Sequence, residues 1–133
     1  MTEIDLRQFC QGELVSVDML KSYLETCLWS STEGDNGEIP MDRDHNIMDF
    51  QYMTARQAGV DIDYFLLICE HRDYSFGGLD DSLIGHNFWL TRAGHGAGFW
   101  DCGIADGDRI SRVCLSMPME SCHTGDDGKV YIG

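Results

Sequence analysis

Residues 86–101 read HNFWLTRAGHGAGFWD, and this stretch decides the fold prediction. Two aromatic runs, FWLT at 88–91 and FW at 99–100, flank a glycine-rich centre. Aromatic and β-branched residues favour strands, and glycines favour the tight turns that join them. The stretch therefore predicts a β-hairpin, with Arg92 and His95 close to its tip.

A second hairpin is predicted at the C-terminal end of the chain. Residues 119–124 and 129–132 are separated by Gly-Asp-Asp-Gly, and an Asp-Gly pair accepts the positive φ angles of a tight turn. Together with three or four helices, the two hairpins predict an α+β fold, in which a small antiparallel sheet of about four strands packs against the helices. The length favours one globular domain over residues 1–133.

Hydrophobic spacing predicts a helix near each end of the chain. Residues 16–30 carry apolar side chains three and four apart, and Ser16 is a good N-cap. The polar, acidic residues 30–46 then predict a long surface loop. Residues 109–116 predict a short helix that ends near Pro118.

The middle of the chain is less clear. A second helix is predicted over residues 47–57, and Gly59 is expected to break it. A third helix is expected from Val60 to about His71, with a buried strand over residues 64–69 as the alternative.

The acidic charge is the second strong signal. Twenty-three Asp and Glu residues against nine Lys and Arg give a net charge of −14, and the acids are spread along the whole chain. Such a surface repels nucleic acid and attracts a basic protein surface, although acidity for solubility alone is the other explanation. The interaction hypothesis rests on three carboxylate pairs, which are Asp42 and Asp44, Asp61 and Asp63, and Asp80 and Asp81.

The 86–101 stretch supplies a second set of candidates. Arg92 and His95 near flexible glycines could hold an anion, and His86, His95 and Asp101 could bind a metal or act as acid and base. The structural interpretation, in which the glycines shape the turn and the two tryptophans fill the core, is favoured over both. Known catalytic motifs are absent, so we expect no catalytic residue, cofactor or metal.

The cysteines and the apolar runs bear on the cellular setting. The six cysteines are widely spaced without a C-x-x-C pair, which favours reduced thiols. The longest apolar run covers only residues 64–69, so no membrane span is predicted.

Three motifs resemble a family of small proteins encoded by bacteriophages and prophages. They are LWSST from Leu28, the block from Gly85 and TGDDGKVYI near the end. The family block is close to GHDFWLTRNGHGAGFWDR, and the resemblance covers about residues 23–45 and 85–133. This chain departs from that block at Asn87, Ala93 and Cys102, where the family has Asp, Asn and Arg. The resemblance implies a phage origin and brings no established reaction.

We therefore expect a small acidic phage protein that acts in the host cytoplasm by binding and modulating a basic host protein. A nucleic-acid-handling or defence complex is the expected partner, and a DNA mimic or anti-defence inhibitor would use carboxylates in place of phosphates. Direct binding of nucleic acid or membrane is not expected, and the sequence leaves the oligomeric state open. The alternative is a small ligand-binding or enzymatic domain centred on Arg92 and His95. A third interpretation is a structural or regulatory phage component whose acidity serves only solubility.

Overall fold

Helices dominate the computed structural model, which describes residues 3–133. Four helices of ten residues or more follow a short helix, α1 (Glu3–Leu6); they are α2 (Val17–Ser30), α3 (Tyr52–His71), α4 (Asp81–Arg92) and α5 (Gly107–Ser116). Two antiparallel strand pairs complete this part of the chain; they are β1 (Thr32–Glu33) with β2 (Ile39–Pro40), and β3 (Cys122–Thr124) with β4 (Val130–Ile132). The α+β class with four main helices is confirmed, and the four strands form two separate two-stranded sheets instead of one small sheet. The predicted single domain also includes residues 1 and 2, which lie outside the described residues.

The prediction of a hairpin over residues 86–101 is wrong. Residues 81–92 form α4, and the glycine-rich segment is the C-terminal cap of this helix. Gly94 has φ +77°, its N–H donates to the Thr91 carbonyl, and the His95 N–H donates to the Leu90 carbonyl, which together form a Schellman motif. A glycine-rich segment after aromatic residues therefore ended a helix here instead of turning a hairpin.

Tertiary packing explains why strand-forming residues accept a helix. Phe88 stacks on Phe65 of α3 with ring centroids 4.3 Å apart, and Trp89 meets Tyr23 of α2 edge-on at 5.4 Å. Burial of large aromatic side chains on two faces of one helix outweighs a propensity difference of less than about 1 kcal/mol per residue. Trp89 fills the core as expected, whereas Trp100 remains half exposed.

Helices α2 and α4 lie side by side and run in the same direction. Ser22 contacts Ser82, Thr26 contacts His86, and Ser30 accepts a hydrogen bond from the Trp89 indole, so the contacts ascend together along both helices. Ser16 caps α2 by accepting from the Met19 N–H, as the sequence predicts. This parallel pair is the frame that positions the cleft described below.

The predicted break at Gly59 is wrong as well. A single 20-residue helix, α3, runs from Tyr52 to His71, and residues 47–49 form a separate 3-10 turn. An added Cβ at Gly59 would overlap the carbonyl oxygen of Phe9. The glycine therefore lets the N-terminal segment pack directly on the helix backbone.

The remaining predictions hold in outline. Helix α5 and the β3–β4 hairpin occupy the predicted segments, with Cys122 opposite Ile132 and Thr124 opposite Val130. The predicted loop over residues 30–46 contains the short β1–β2 pair, which the sequence did not indicate. Among residues 3–133, none of the helices combines the length and apolar content needed to cross a bilayer.

Candidate functional site

Arg92 is the centre of a buried ion-pair cluster. Its side chain is 3% exposed, and it contacts carboxylates from two other parts of the chain, Asp61 at 2.6 Å and Glu120 at 2.9 Å. Its Nε donates to the Pro118 carbonyl at 3.1 Å, and one terminal nitrogen donates to the Tyr23 hydroxyl at 3.3 Å. All three guanidinium nitrogens are thus engaged by the protein, which joins α2, α3, α4 and the segment after α5.

The cluster carries one cation for two partly buried carboxylates. Burial raises the pKa of Glu120, and Arg92 lowers it only in part. Burial also acts to lower the pKa of Arg92, but Tyr23, Asp61 and Glu120 together raise it above its usual value. Arg92 therefore stays charged, and Glu120 takes up a proton at a higher pH than an exposed glutamate does.

The other three predicted ligand residues make different contacts from those of Arg92. His95 is exposed in the cap of α4, and Asp101 is exposed and accepts from the Gly98 N–H. His86 lies against α2, with Nδ1 2.9 Å from the Thr26 hydroxyl. Among the described residues, no hydrogen bond or ion pair joins any two of these four candidates.

Two of the predicted acidic residues, Asp61 and Asp63, form contacts within the fold. Asp61 is the partner of Arg92, as described above. One carboxylate oxygen of Asp63 accepts from the N–H groups of Leu14 at 2.8 Å and Val15 at 3.0 Å. Both carboxylates therefore hold distant segments together.

The other two pairs are more exposed. Asp80 caps α4 by accepting from the Leu83 N–H, and Asp81 lies in the exposed first turn of that helix. Asp44 pairs with Arg43 at 2.8 Å. The Asp42 side chain has no hydrogen-bond or ion-pair partner among the described residues, and it lines a cleft.

This cleft, which we call the Trp29 cleft, lies between α2, α4 and the segment after β2. Its volume is about 540 Å³. Eight of its lining residues are polar or aromatic; they are Ser22, Glu25, Thr26, Trp29, Asp42, His45, Asn46 and His86. The indole of Trp29 is 60% exposed, an unusual state for the largest aromatic side chain.

The two histidines of the Trp29 cleft are held by neighbouring side chains. The His86 ring tilts against Trp29 with centroids 5.9 Å apart, and Thr26 fixes its Nδ1. His45 lies 3.3 Å from Glu33 through Nε2. Among the described residues, Nε2 of His86 has no hydrogen-bond partner, so it is open to a ligand in the cleft.

Acidic side chains continue beyond the Trp29 cleft. A smaller cleft of about 220 Å³ adjoins it, shares Glu25 with it and adds Asp18. Lys21 lies in the same place, but its nitrogen is 4.0 Å from Glu25 in an exposed pair, which contributes little. The two adjoining clefts therefore combine an exposed indole with the carboxylates of Asp18, Glu25 and Asp42 and with the ammonium group of Lys21.

The spacing of polar residues along α2 indicates this surface in the sequence itself. Asp18, Ser22, Glu25 and Trp29 recur at spacings of four, three and four, so they lie along one side of α2. The buried residues Leu20, Leu24, Cys27 and Leu28 lie on the other side. A tryptophan at the end of the polar stripe indicates an exposed aromatic residue among charges.

Comparison of the chain with family models, with curated proteins and with solved structures finds no match. Within residues 3–133, no group of three or more His, Cys, Asp or Glu side chains is arranged to hold a metal ion.

Proposed function

We propose that this protein binds a basic partner protein and that the Trp29 cleft receives an arginine or lysine side chain of that partner. The observation that carries the proposal is the exposed Trp29 indole, flanked by Glu25 and Asp42 in one cleft. Tryptophan is also among the residues that contribute most to the affinity of protein interfaces.

The chemistry of the cleft suits a cationic side chain. A cation over an indole face gains about 0.5–2 kcal/mol, the larger value when water is excluded. A carboxylate can accept two parallel hydrogen bonds from a guanidinium, and the planar guanidinium also stacks on an aromatic ring. Arginine therefore fits Trp29 with Glu25 and Asp42 better than lysine does.

The net charge supports the same class of partner. At −14, the chain attracts basic surfaces over about one Debye length, 8–10 Å at ordinary ionic strength. Proteins that handle nucleic acid present basic surfaces rich in arginine, because these side chains neutralise the phosphates. The proposed partner is a basic host protein of this class, including defence complexes, and the motif resemblance to phage proteins agrees with this role.

The test is a titration of the protein with a short oligoarginine peptide, in which calorimetry measures the affinity at low and at moderate salt. We expect binding that weakens as salt rises, and weaker binding of an oligolysine peptide of equal length. Trp29→Ala should reduce the oligoarginine affinity roughly tenfold, which corresponds to the loss of about 1.4 kcal/mol.

Trp100→Ala is the matched control, because Trp100 is also half exposed but lies outside the cleft. This variant should bind oligoarginine like the wild type, and both variants should unfold at the wild-type urea concentration. Equal loss of affinity in the two variants, or no binding by the wild type at low salt, would refute the proposal.

A further inference from the structure

An apolar stripe runs along the outer side of α3. Met53, Val60, Tyr64 and Leu67 recur at spacings of seven, four and three, and each of these side chains is roughly half exposed. Tyr64, for example, is 56% exposed. A helix with apolar residues on one exposed line is unusual in a monomer and marks an interaction surface.

A groove borders this stripe. It has a volume of about 410 Å³, lies between α3 and the segment around Phe9, and is mainly apolar. Val60, Tyr64 and Leu67 form part of its wall. The stripe therefore offers both projecting side chains and a hollow in which such side chains fit.

Two charged residues flank the stripe and identify what covers it. Arg56 and Glu70 are both exposed, and among the described residues neither side chain has an ion-pair or hydrogen-bond partner. They are 14 residues apart, which places them about 21 Å apart along the axis and on the same flank of the helix. One unpaired cation and one unpaired anion on the same flank are complementary to themselves under a two-fold rotation.

We infer that a second copy of this chain covers the stripe, with the two α3 helices antiparallel and crossing near Tyr64. In this register, Val60 of one copy lies opposite Leu67 of the other. Arg56 and Glu70 lie about 12 and 9 Å from Tyr64 on opposite sides of it, so each Arg56 meets the Glu70 of the other copy. Antiparallel packing brings residues on the same flank together, whereas parallel packing would not.

The net charge limits the strength of this dimer without preventing it. Two chains at −14 repel each other, but salt screens charges that are more than about 10 Å apart at 0.1 M. The apolar stripe and the two local ion pairs act at contact distance. The dimer is independent of the Trp29 cleft, and it would present two such clefts to one partner.

The first test measures the molar mass over a concentration series by sedimentation at moderate salt. The wild type should pass from one chain mass to twice that mass as concentration rises. Tyr64→Glu should weaken dimerisation at least about tenfold, because it buries a charge in the centre of the stripe. Leu115→Glu is the matched control, since Leu115 is 63% exposed on α5 and outside the stripe, and this variant should still form the dimer.

The second test examines the register. Arg56→Glu and Glu70→Arg each place like charges together at both ends of the two paired α3 helices. Each variant alone should therefore dimerise roughly tenfold more weakly than the wild type. An equimolar mixture of the two should recover dimers near the wild-type level, because each copy then meets its opposite charge. Circular dichroism checks that every variant is folded, and Val60→Glu replaces Tyr64→Glu if that variant is not.

Three results would overturn the inference. The first is a wild type that keeps one chain mass at every concentration. The second is a folded Tyr64→Glu or Val60→Glu variant that dimerises like the wild type. The third is a mixture of Arg56→Glu and Glu70→Arg that dimerises no better than either variant alone.

Discussion

Helix α4 carries charge-bearing contacts on two sides, and the two sides use charge in opposite ways. On the Arg92 side, the guanidinium is buried and both carboxylates beside it are occupied. On the His86 side, the exposed Trp29 lies beside Asp42, whose carboxylate has no partner among the described residues. The comparison indicates that charge in the Arg92 cluster is paired within the fold, while charge in the Trp29 cleft remains available to a partner.

The strongest test of this contrast removes the cation. Arg92→Met should destabilise the protein by about 3 kcal/mol or more, because it leaves Asp61 and Glu120 partly buried without a counter-ion. Urea unfolding gives the free energy, and calorimetry at a temperature where the variant is folded should show oligoarginine binding close to wild type. A loss of less than about 1 kcal/mol would mean that the cluster does not hold the fold together.

The next largest effect concerns the backbone contact at Gly59. Helix propensity alone predicts that Gly59→Ala stabilises α3 by about 1 kcal/mol. The structure predicts the opposite sign, a loss of about 1–3 kcal/mol, because the added methyl group overlaps the Phe9 carbonyl. The sign of the change in urea unfolding decides between a helix breaker and a packing position.

Some elements of the fold could be predicted from the sequence, and others could not. The α2 helix follows from its hydrophobic spacing and its Ser16 cap, and the β3–β4 hairpin follows from its Asp-Gly turn. The α4 helix did not follow, because Phe88 and Trp89 favour strands and only their contacts with Phe65 and Tyr23 reverse this preference. Gly94 fits a hairpin turn and a helix cap equally well, since both conformations need positive φ.

The acidic interaction surface that the charge predicts stays a prediction, and its residues could not be chosen from the sequence. Asp61 and Asp63 have partners that lie far away in sequence. Arg92 was proposed as an anion ligand for its chemistry, but only the fold shows that it is buried among carboxylates. Pairing between distant residues is not visible in a single sequence, so both assignments needed the structure.

A smaller effect depends on pH and sharpens the description of the Arg92 cluster. The pKa of Glu120 is raised above its usual value of 4.5, so its contribution to stability is fully present below pH 4.5 and is lost as pH rises through the raised value. Glu120→Gln mimics the protonated form and can still accept from Arg92. Its stability relative to wild type should therefore increase as pH rises above 4.5.

Asp106 is a control for which the pH dependence of stability has the opposite sign. Its pKa is lowered from 3.8, first by the hydrogen bond from the Ser75 N–H, so its contribution is present above pH 3.8 and is lost as pH falls through the lowered value. Asp106→Asn should therefore lose stability relative to wild type as pH rises from the lowered value to 3.8, and the difference should stay constant above pH 3.8. Urea midpoints measured across this range for both variants check the two signs, and the same trend in both would contradict the assignment.

The most direct measurement is a nuclear magnetic resonance titration of the labelled protein with the oligoarginine peptide. We expect the largest shifts at the Trp29 indole N–H, at the His86 ring and at the amides around Glu25 and Asp42. The Trp100 indole and the exposed His95 should change little. Shifts centred on Trp100 and His95, or shifts of equal size over the whole acidic surface, would contradict the claim that the Trp29 cleft is where a basic partner binds.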